Sequence, residues 1–294
     1  MNAPLTAQYS ADMQIRKNLD FQLEEKMPRF WFGGDPFKTR VFDALSLTFP
    51  DGERYFINSV RLYRDQITDP DLKARVKDFI MQEAQHGIAH DRMNQVMKNQ
   101  GLPVDEMLVE MKVRLDEWLE KRSPQLNIAI TAASEHLTAL MAECFYANKS
   151  TLAEVDPYVR ALYAWHAIEE MEHRDVTFDV MQNVAKIDYA LRARALVITS
   201  ALMYGYTMYR TNIMLKADGF SAIERAKQFA KGTQWLFGKN GLLTSMKKPY
   251  RDWFKRDFHP NQHPVLAQYP VWVETMEKTG DPIAAGQALW EAGK

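Results

Sequence analysis

From Pro50 onward, apolar residues recur at alternating spacings of four and three, the period of a helix that buries one face. The pattern predicts helices at roughly 51–67, 71–99, 104–121, 125–149, 155–185, 188–216, 221–237 and 242–256. Gly101 and Pro103, Ser123-Pro124 and Asp156-Pro157 punctuate the breaks between them. The strict alternation of a half-buried strand is scarce, and no repeat of solenoid length is visible. Residues 1 to about 48, with the loop-like stretch FWFGGDPF, read as a non-helical arm. The tail FHPNQHPVLAQYPVW, with three prolines, reads as extended. The expectation is one all-α domain over 1–294, with a bundle at about 50–185 and additional helices at about 188–257.

Polar residues interrupt four of the apolar stripes. Val159, Tyr163, His166, Glu170, His173, Thr177, Val180 and Val184 alternate steps of four and three. Leu72, Val76, Phe79, Glu83, His86, His90, Met93 and Met97 form a second such line. A third runs Glu53, Phe56, Val60, Tyr63, Ile67, and a fourth Ile128, Ala132, Glu135, Ala139, Ala142, Tyr146. Residues so spaced share one helix face, so these polar groups should point inward with the apolar ones. Glu169, Glu172 and Asp175 fall off the line and are expected to be the solvated charges of their helix.

A buried carboxylate without a partner costs several kcal/mol or more, so four of them converging call for a cation. The order is Glu53, Glu83-x-x-His86, Glu135, Glu170-x-x-His173, with His166 in addition. A glutamate from each of two helices and Glu-x-x-His from each of two others is the ligand pattern of two-metal carboxylate bundles of the ferritin-like fold. Glu53 to Glu83 spans 30 residues and Glu135 to Glu170 spans 35, which suggests two similar helix hairpins. Four carboxylates and three neutral imidazoles balance two divalent ions. Carboxylate and imidazole without thiolate suit iron, or manganese, better than structural zinc.

The neighbours were weighed in the same way. His90, one turn after His86, reads as a partner to a ligand rather than a ligand. His136 is rotated off the Glu135 line, and Glu143, two turns on, is the rival to Glu135. His259 and His263, each followed by proline, read as a latch packing the tail across the bundle, because a metal site needs a fuller donor set.

Composition narrows the function. Thirty-seven basic and 38 acidic residues give a net charge of −1, with no electrostatic footprint for nucleic acid. Cys144 is the only cysteine, so neither an intrachain disulfide nor an iron–sulfur cluster can form. No secretory signal is legible at the start, and a cytoplasmic location is expected. The uncharged run ALVITSALMYGYTMY, residues 195–209, is shorter than the roughly 20 residues that span a bilayer and reads as a buried helix.

Two resemblances add to this. The constellation Glu53, Glu83-x-x-His86, Glu135, His166-x-x-x-Glu170-x-x-His173 resembles that of ferritin-like di-iron N-oxygenases acting on arylamines. Over most of its length the chain also resembles a bacterial family labelled predicted metal-dependent hydrolases, in the stretches ALSLTFPDGERYFINSVR, QEAQHGIAH and FHPNQHP. The implied function is an O2-dependent di-iron oxygenase or oxidase acting on a small apolar organic substrate. Each Glu-x-x-His pair would anchor one iron, Glu53 and Glu135 would bind terminally or bridge, and His166 would make the irons unequal. A two-metal hydrolase is the alternative, and non-catalytic iron handling is a third reading. A separate protein would donate electrons, and a homodimer is left open as the assembly.

Overall fold

Aspartate–proline pairs set the starts of several long helices. Asp69 and Asp156 accept hydrogen bonds from the first free backbone amides of the helices that open at Pro70 and Pro157. Each such cap is worth about 1 kcal/mol, and proline at the first position gives up an amide that would have no partner there. The computed structural model describes residues 13–146, 148–239 and 241–293.

The helices are α1 (Leu23–Lys26), α2 (Pro36–Ser46), α3 (Phe49–Arg61), α4 (Pro70–Asn99), α5 (Val104–Lys121), α6 (Pro124–Tyr146) and α7 (Pro157–His173). There follow α8 (Val176–Asp179), α9 (Tyr189–Ala217), α10 (Ala222–Phe237), α11 (Lys247–Asp252), α12 (Tyr269–Thr279) and α13 (Pro282–Glu291). Among the described residues no strand forms, and a single bridge joins Phe32 to Val155. The protein is an all-α helical bundle of the ferritin-like kind. Helix α3 packs on α4 and α6 on α7, while α3 also meets α6 and α4 meets α7. The remaining long helices wrap this core: α5 on α3, α9 against α2 and α6, and α13 on α7.

The apolar core falls into separate clusters along the bundle. On α4, Val76 and Phe79 belong to one cluster and Ala89, Met93 and Met97 to another. On α6, Ile128 and Ala132 fall in the first, Ala142 and Phe145 in the second. Glu83, His86 and Glu135 lie between these stretches in sequence, so the polar residues occupy a layer between two dry ones.

Several expectations need correction. The non-helical arm contains α2, which is buried on nearly every side, its polar residues Thr39, Arg40, Asp43 and Ser46 included. Its charges sit in the core because Arg40 pairs with Asp43 and with Asp218 from beyond α9. Residues 1–12 of that arm lie outside the described residues. The tail is not extended: a 3-10 turn forms at Pro260–Gln262, Pro270 lies in the first turn of α12, and Asp281 caps α13. Gly286 lets α13 approach α7 so closely that an added Cβ would lie 2.7 Å from Ala161 Cα. The helix expected at 242–256 shrinks to α11.

The helix expected at 155–185 stops at His173, continues as α8, and closes with a π-helical turn at Val180–Val184. No proline or glycine marks the break. Its cause is tertiary: Arg174 donates to the carbonyls of His263 and Pro264, and Asp175 pairs with Arg75. The run 195–209 lies within α9, which buries Ala195, Leu196, Thr199 and Thr207 but leaves Val197, Ile198, Tyr204 and Tyr209 exposed. No helix of the described residues is long and apolar enough to cross a membrane.

Candidate metal centre

Glu53 projects from α3, Glu83 and His86 from α4, Glu135 from α6, and His166, Glu170 and His173 from α7. The structure brings all seven together, each no more than 4% exposed. Their donor atoms form two groups, each with all atoms within 4.8 Å of one another. One is Glu53, His86 and His166; the other is Glu83, Glu135, Glu170 and His173.

This grouping differs from the expectation that each Glu-x-x-His pair serves one ion. Residues three apart on a helix are displaced by about 4.5 Å along its axis, enough to reach two neighbouring positions. Glu83 Oε1 lies 3.1 Å from His173 Nε2 and 3.7 Å from His86 Nδ1, between the groups. Glu170 Oε1 lies 2.9 Å from His166 Nε2 and 3.8 Å from His173 Nε2. These two carboxylates therefore lie near donors of both groups.

Both carboxylate oxygens of Glu53, Glu83 and Glu135, with His86 Nδ1 and His173 Nε2, are buried without a hydrogen-bond partner. Unpaired buried polar atoms are uncommon, and each costs about 1–3 kcal/mol. Here they converge on one small volume and are all electron-pair donors. That is what a pair of cations would satisfy, so the residues present fit a two-metal centre.

The far nitrogen of every imidazole is already held. His86 Nε2 lies 3.1 Å from Glu169, His173 Nδ1 lies 2.9 Å from Gln82 Oε1, and His166 Nδ1 lies 2.7 Å from His90 Nε2. Such outer partners fix the tautomer and ring orientation of a metal-binding histidine. Glu169 also accepts from Trp165 Nε1 and Arg16. Gln82 donates onward to Glu172, which Arg16 and Tyr269 also hold. Glu170 accepts from the Thr138 hydroxyl.

Glu169, Glu172 and Asp175 are thus not solvated: all three are buried and paired. The expectation failed because Arg16, Gln82 and Tyr269 of α12 take up Glu169 and Glu172, and Arg75 and Asn261 take up Asp175. Arg16, Gln82 and Trp165 carried no signal in the sequence, since none lies on a ligand stripe. His90 sits where it was expected, against a candidate ligand.

In the metal-free state, burial holds Glu53 and Glu135 well above the usual carboxylate range, and the neighbouring Glu83 charge adds to it. Burial opposes ionisation of Glu83 and Glu170 too, but the imidazoles around them outweigh it and hold both below that range. For His86 and His173, burial is outweighed by the surrounding carboxylates, and both are raised well above the usual value. Burial, together with the charge on His86, lowers His166, while burial and the charge on His166 push His90 well down. Protons on Glu53, Glu135, His86 and His173 then balance the site as two divalent ions would.

A narrow inner cavity of about 50 Å3 reaches the centre at His166, Glu170 and Thr138. Phe49 lines it and packs its ring 4.5 Å from both His166 and His90. An outer cavity of about 300 Å3 lies between α2, α6, α9 and α10, lined in part by Met203, Tyr204, Thr207 and Met208 of the run 195–209.

The other weighed residues fall elsewhere. His136 stacks on Trp253, and burial lowers it to about 3. Glu143 lies 3.8 Å from His263, outside both donor groups. His259 and His263 pair with Asp179 and Asp252, each at 3.2 Å, tying the tail to the bundle. Asp175, Asp179 and His259 form a third donor group, but Arg75 already supplies a cation to both of its aspartates.

A family model described as predicted metal-dependent hydrolase matches residues 15–264. No curated protein and no solved structure matches the chain.

Proposed function

The chain belongs to the family described as predicted metal-dependent hydrolases, and we propose that its enzymatic centre holds two iron ions and uses O2 to oxidise an apolar organic substrate. The observation that carries this is the convergence of unpartnered carboxylate and imidazole atoms in a dry layer of the bundle. One ion would sit among Glu53, His86 and His166, the other among Glu135, His173, Glu83 and Glu170. A donor set of carboxylate and imidazole without thiolate suits iron or manganese.

Bound iron supplies the redox chemistry that no protein side chain offers. The chain's own residues do the rest. Glu169, Gln82 and His90 orient the three imidazoles, and Thr138 orients Glu170. Phe49 and the other apolar walls of the inner cavity keep water from the face that His166 and Glu170 present. The described chain holds one cysteine, so reducing equivalents would come from a separate protein.

Hydrolysis is the second reading, and the family description favours it over oxidation. Paired metals can activate water and stabilise a leaving oxygen. Against it stands the inner cavity, whose wall beside the centre is apolar and offers little to a polar scissile group. The two readings separate in one comparison. Protein loaded anaerobically with Fe(II) is given O2, and its consumption is followed together with hydrolysis of carboxylic esters in the absence of O2. Oxidation requires two irons per chain and O2 uptake. Ester turnover without O2, supported equally by a redox-inert divalent ion, would establish the hydrolase instead.

A further inference from the structure

The inner and outer cavities share one wall. Phe42, Leu45, Met141 and Phe145 line both. Beyond them the outer cavity is bounded by Met203, Met208, Leu236 and Leu243, with almost no polar lining. Its volume of about 300 Å3 is at the low end of the range typical of ligand sites, roughly 300–1,000 Å3. The inner cavity, about 50 Å3, is too small to hold a substrate alone but can hold the end of one. The two volumes and their apolar lining suit an aliphatic chain.

The rim of the outer cavity has its own chemistry. Lys247 lines it, and Tyr204 and Phe237 at its edge are 42% and 45% exposed. Residues 238–251 contain Lys239, Lys247, Lys248 and Arg251 and no acidic residue. All four cations are exposed. Lys247 thus sets a positive charge at the edge of an apolar cavity, with three further exposed cations near it in sequence. A neutral ligand would gain nothing from it.

We propose that the substrate is a linear aliphatic carboxylate that enters with its chain foremost. The carboxylate stays at Lys247 and Lys248, and the chain fills the outer cavity. Its distal carbons pass Phe42, Leu45, Met141 and Phe145 to face His166 and Glu170. The distal end of the chain, not the acid group, is then what meets the metal centre. This rests on the two-metal reading for its reactive end, but the binding part stands independently of it.

The test is calorimetric titration of metal-loaded protein with hexanoate, decanoate and decanol, repeated on metal-free protein. Decanoate should bind to both forms. Replacing both lysines, Lys247→Glu with Lys248→Glu, should weaken decanoate about tenfold or more and leave decanol unchanged, as expected for loss of a charge contact of about 1.4 kcal/mol. Met141→Trp should thicken the wall shared by the two cavities, leaving hexanoate binding intact and weakening decanoate. Retained hexanoate binding shows that this variant is folded, and Leu45→Trp should repeat the result from the opposite wall. The proposal is overturned by absence of decanoate binding, by equal losses for decanoate and decanol in the lysine variant, or by an unchanged chain-length preference in both tryptophan variants. Absence of bound metal would remove the proposed oxidation and leave this outcome readable from the metal-free titration.

Discussion

His90 Nε2 lies 2.7 Å from His166 Nδ1, and this contact gives His166 its direction. His90 Nδ1 faces the Ser46 hydroxyl at 3.0 Å, and that hydroxyl donates to Asn94 Oδ1. If the hydroxyl proton goes to Asn94, Ser46 accepts from His90 Nδ1–H. His90 Nε2 then accepts from His166 Nδ1–H, which leaves the His166 Nε2 lone pair aimed at Glu53 and Glu170. The hydrogen-bond chain therefore specifies one tautomer of a candidate ligand from three residues away. His90→Phe should lower affinity at the Glu53–His86–His166 position by about 10–100-fold, the usual effect of losing an outer partner. The second position should keep its affinity. Competitive Fe(II) titration measures both, and two equal losses would mean that His90 acts on the fold rather than on His166.

Glu169 is the corresponding partner of His86, and it also neutralises Arg16. Glu169→Gln should keep the packing but exchange a carboxylate for an amide against His86 Nε2, again weakening the first position about 10–100-fold. Both Glu169→Gln and Glu169→Ala remove a charge paired with Arg16 and should destabilise the fold by about 3–5 kcal/mol, and Glu169→Ala also loses the hydrogen bonds to Trp165 and His86. Urea unfolding of the metal-free proteins separates the two effects. Stability equal to the parent's in both variants would show that Glu172 alone suffices to hold Arg16.

Much of the centre was legible because helical spacing and residue type agreed. Glu83 and His86 interrupt an apolar line on α4, and His166, Glu170 and His173 interrupt one on α7, so burial of the apolar residues carries the polar ones inward. The pattern could not assign ligands to ions, since that depends on helix rotation and axial displacement. It also failed where a helix is buried on all sides. Helix α2 buries Thr39, Arg40, Asp43 and Ser46 along with its apolar residues, and Arg16 and Tyr269 cover Glu169 and Glu172 on α7, which therefore looked like solvent charges. The end of α7 at His173 was invisible for a different reason: Arg174 and Asp175 are taken up by partners distant in sequence.

The covering of α7 can be tested at its tightest point. An added Cβ at Gly286 would lie 2.7 Å from the Cα and 2.9 Å from the Cβ of Ala161, with no flexible side chain to yield. Gly286→Val should force α13 away and cost about 1–3 kcal/mol, the usual penalty of overpacking. Hydrogen exchange should rise along α13 and the Ala161 turn of α7, while the turn containing Glu170 stays protected. Uniform loss of protection along α7 would show that α13 supports the whole helix and not this contact alone.

The last prediction concerns metal removal and pH. In the metal-free protein Glu53, Glu135, His86 and His173 are raised groups. Stability from a raised group is fully present below its unfolded pKa and is lost as pH rises through the folded one. Glu83, Glu170, His90 and His166 are lowered groups, whose contribution is present above the unfolded value and lost as pH falls through the folded one. Above the ordinary histidine value of 6.5 the lowered groups contribute in full while His86 and His173 lose their contribution, and Glu53 and Glu135 begin to lose theirs already above the ordinary carboxylate value of 4.5. The metal-free melting temperature should therefore fall as pH rises above about 6.5, the ordinary histidine pKa. Metal ions replace the displaced protons, so the metal-loaded protein should show little of this fall. The rise caused by Fe(II) should then grow with pH. At a hundredfold excess over Kd, binding to the native state alone adds about 2.7 kcal/mol. Glu135→Gln retains a neutral side chain like the protonated acid. It should make the metal-free fall shallower and remove most of the Fe(II)-induced rise. Glu143→Gln, two turns further along α6 and outside both donor groups, should do neither. Thermal scans of the parent and both variants, with and without Fe(II) across this pH range, decide the matter. Equal behaviour of the two variants would mean that Glu135 is not a ligand and that the metal lies elsewhere in the bundle.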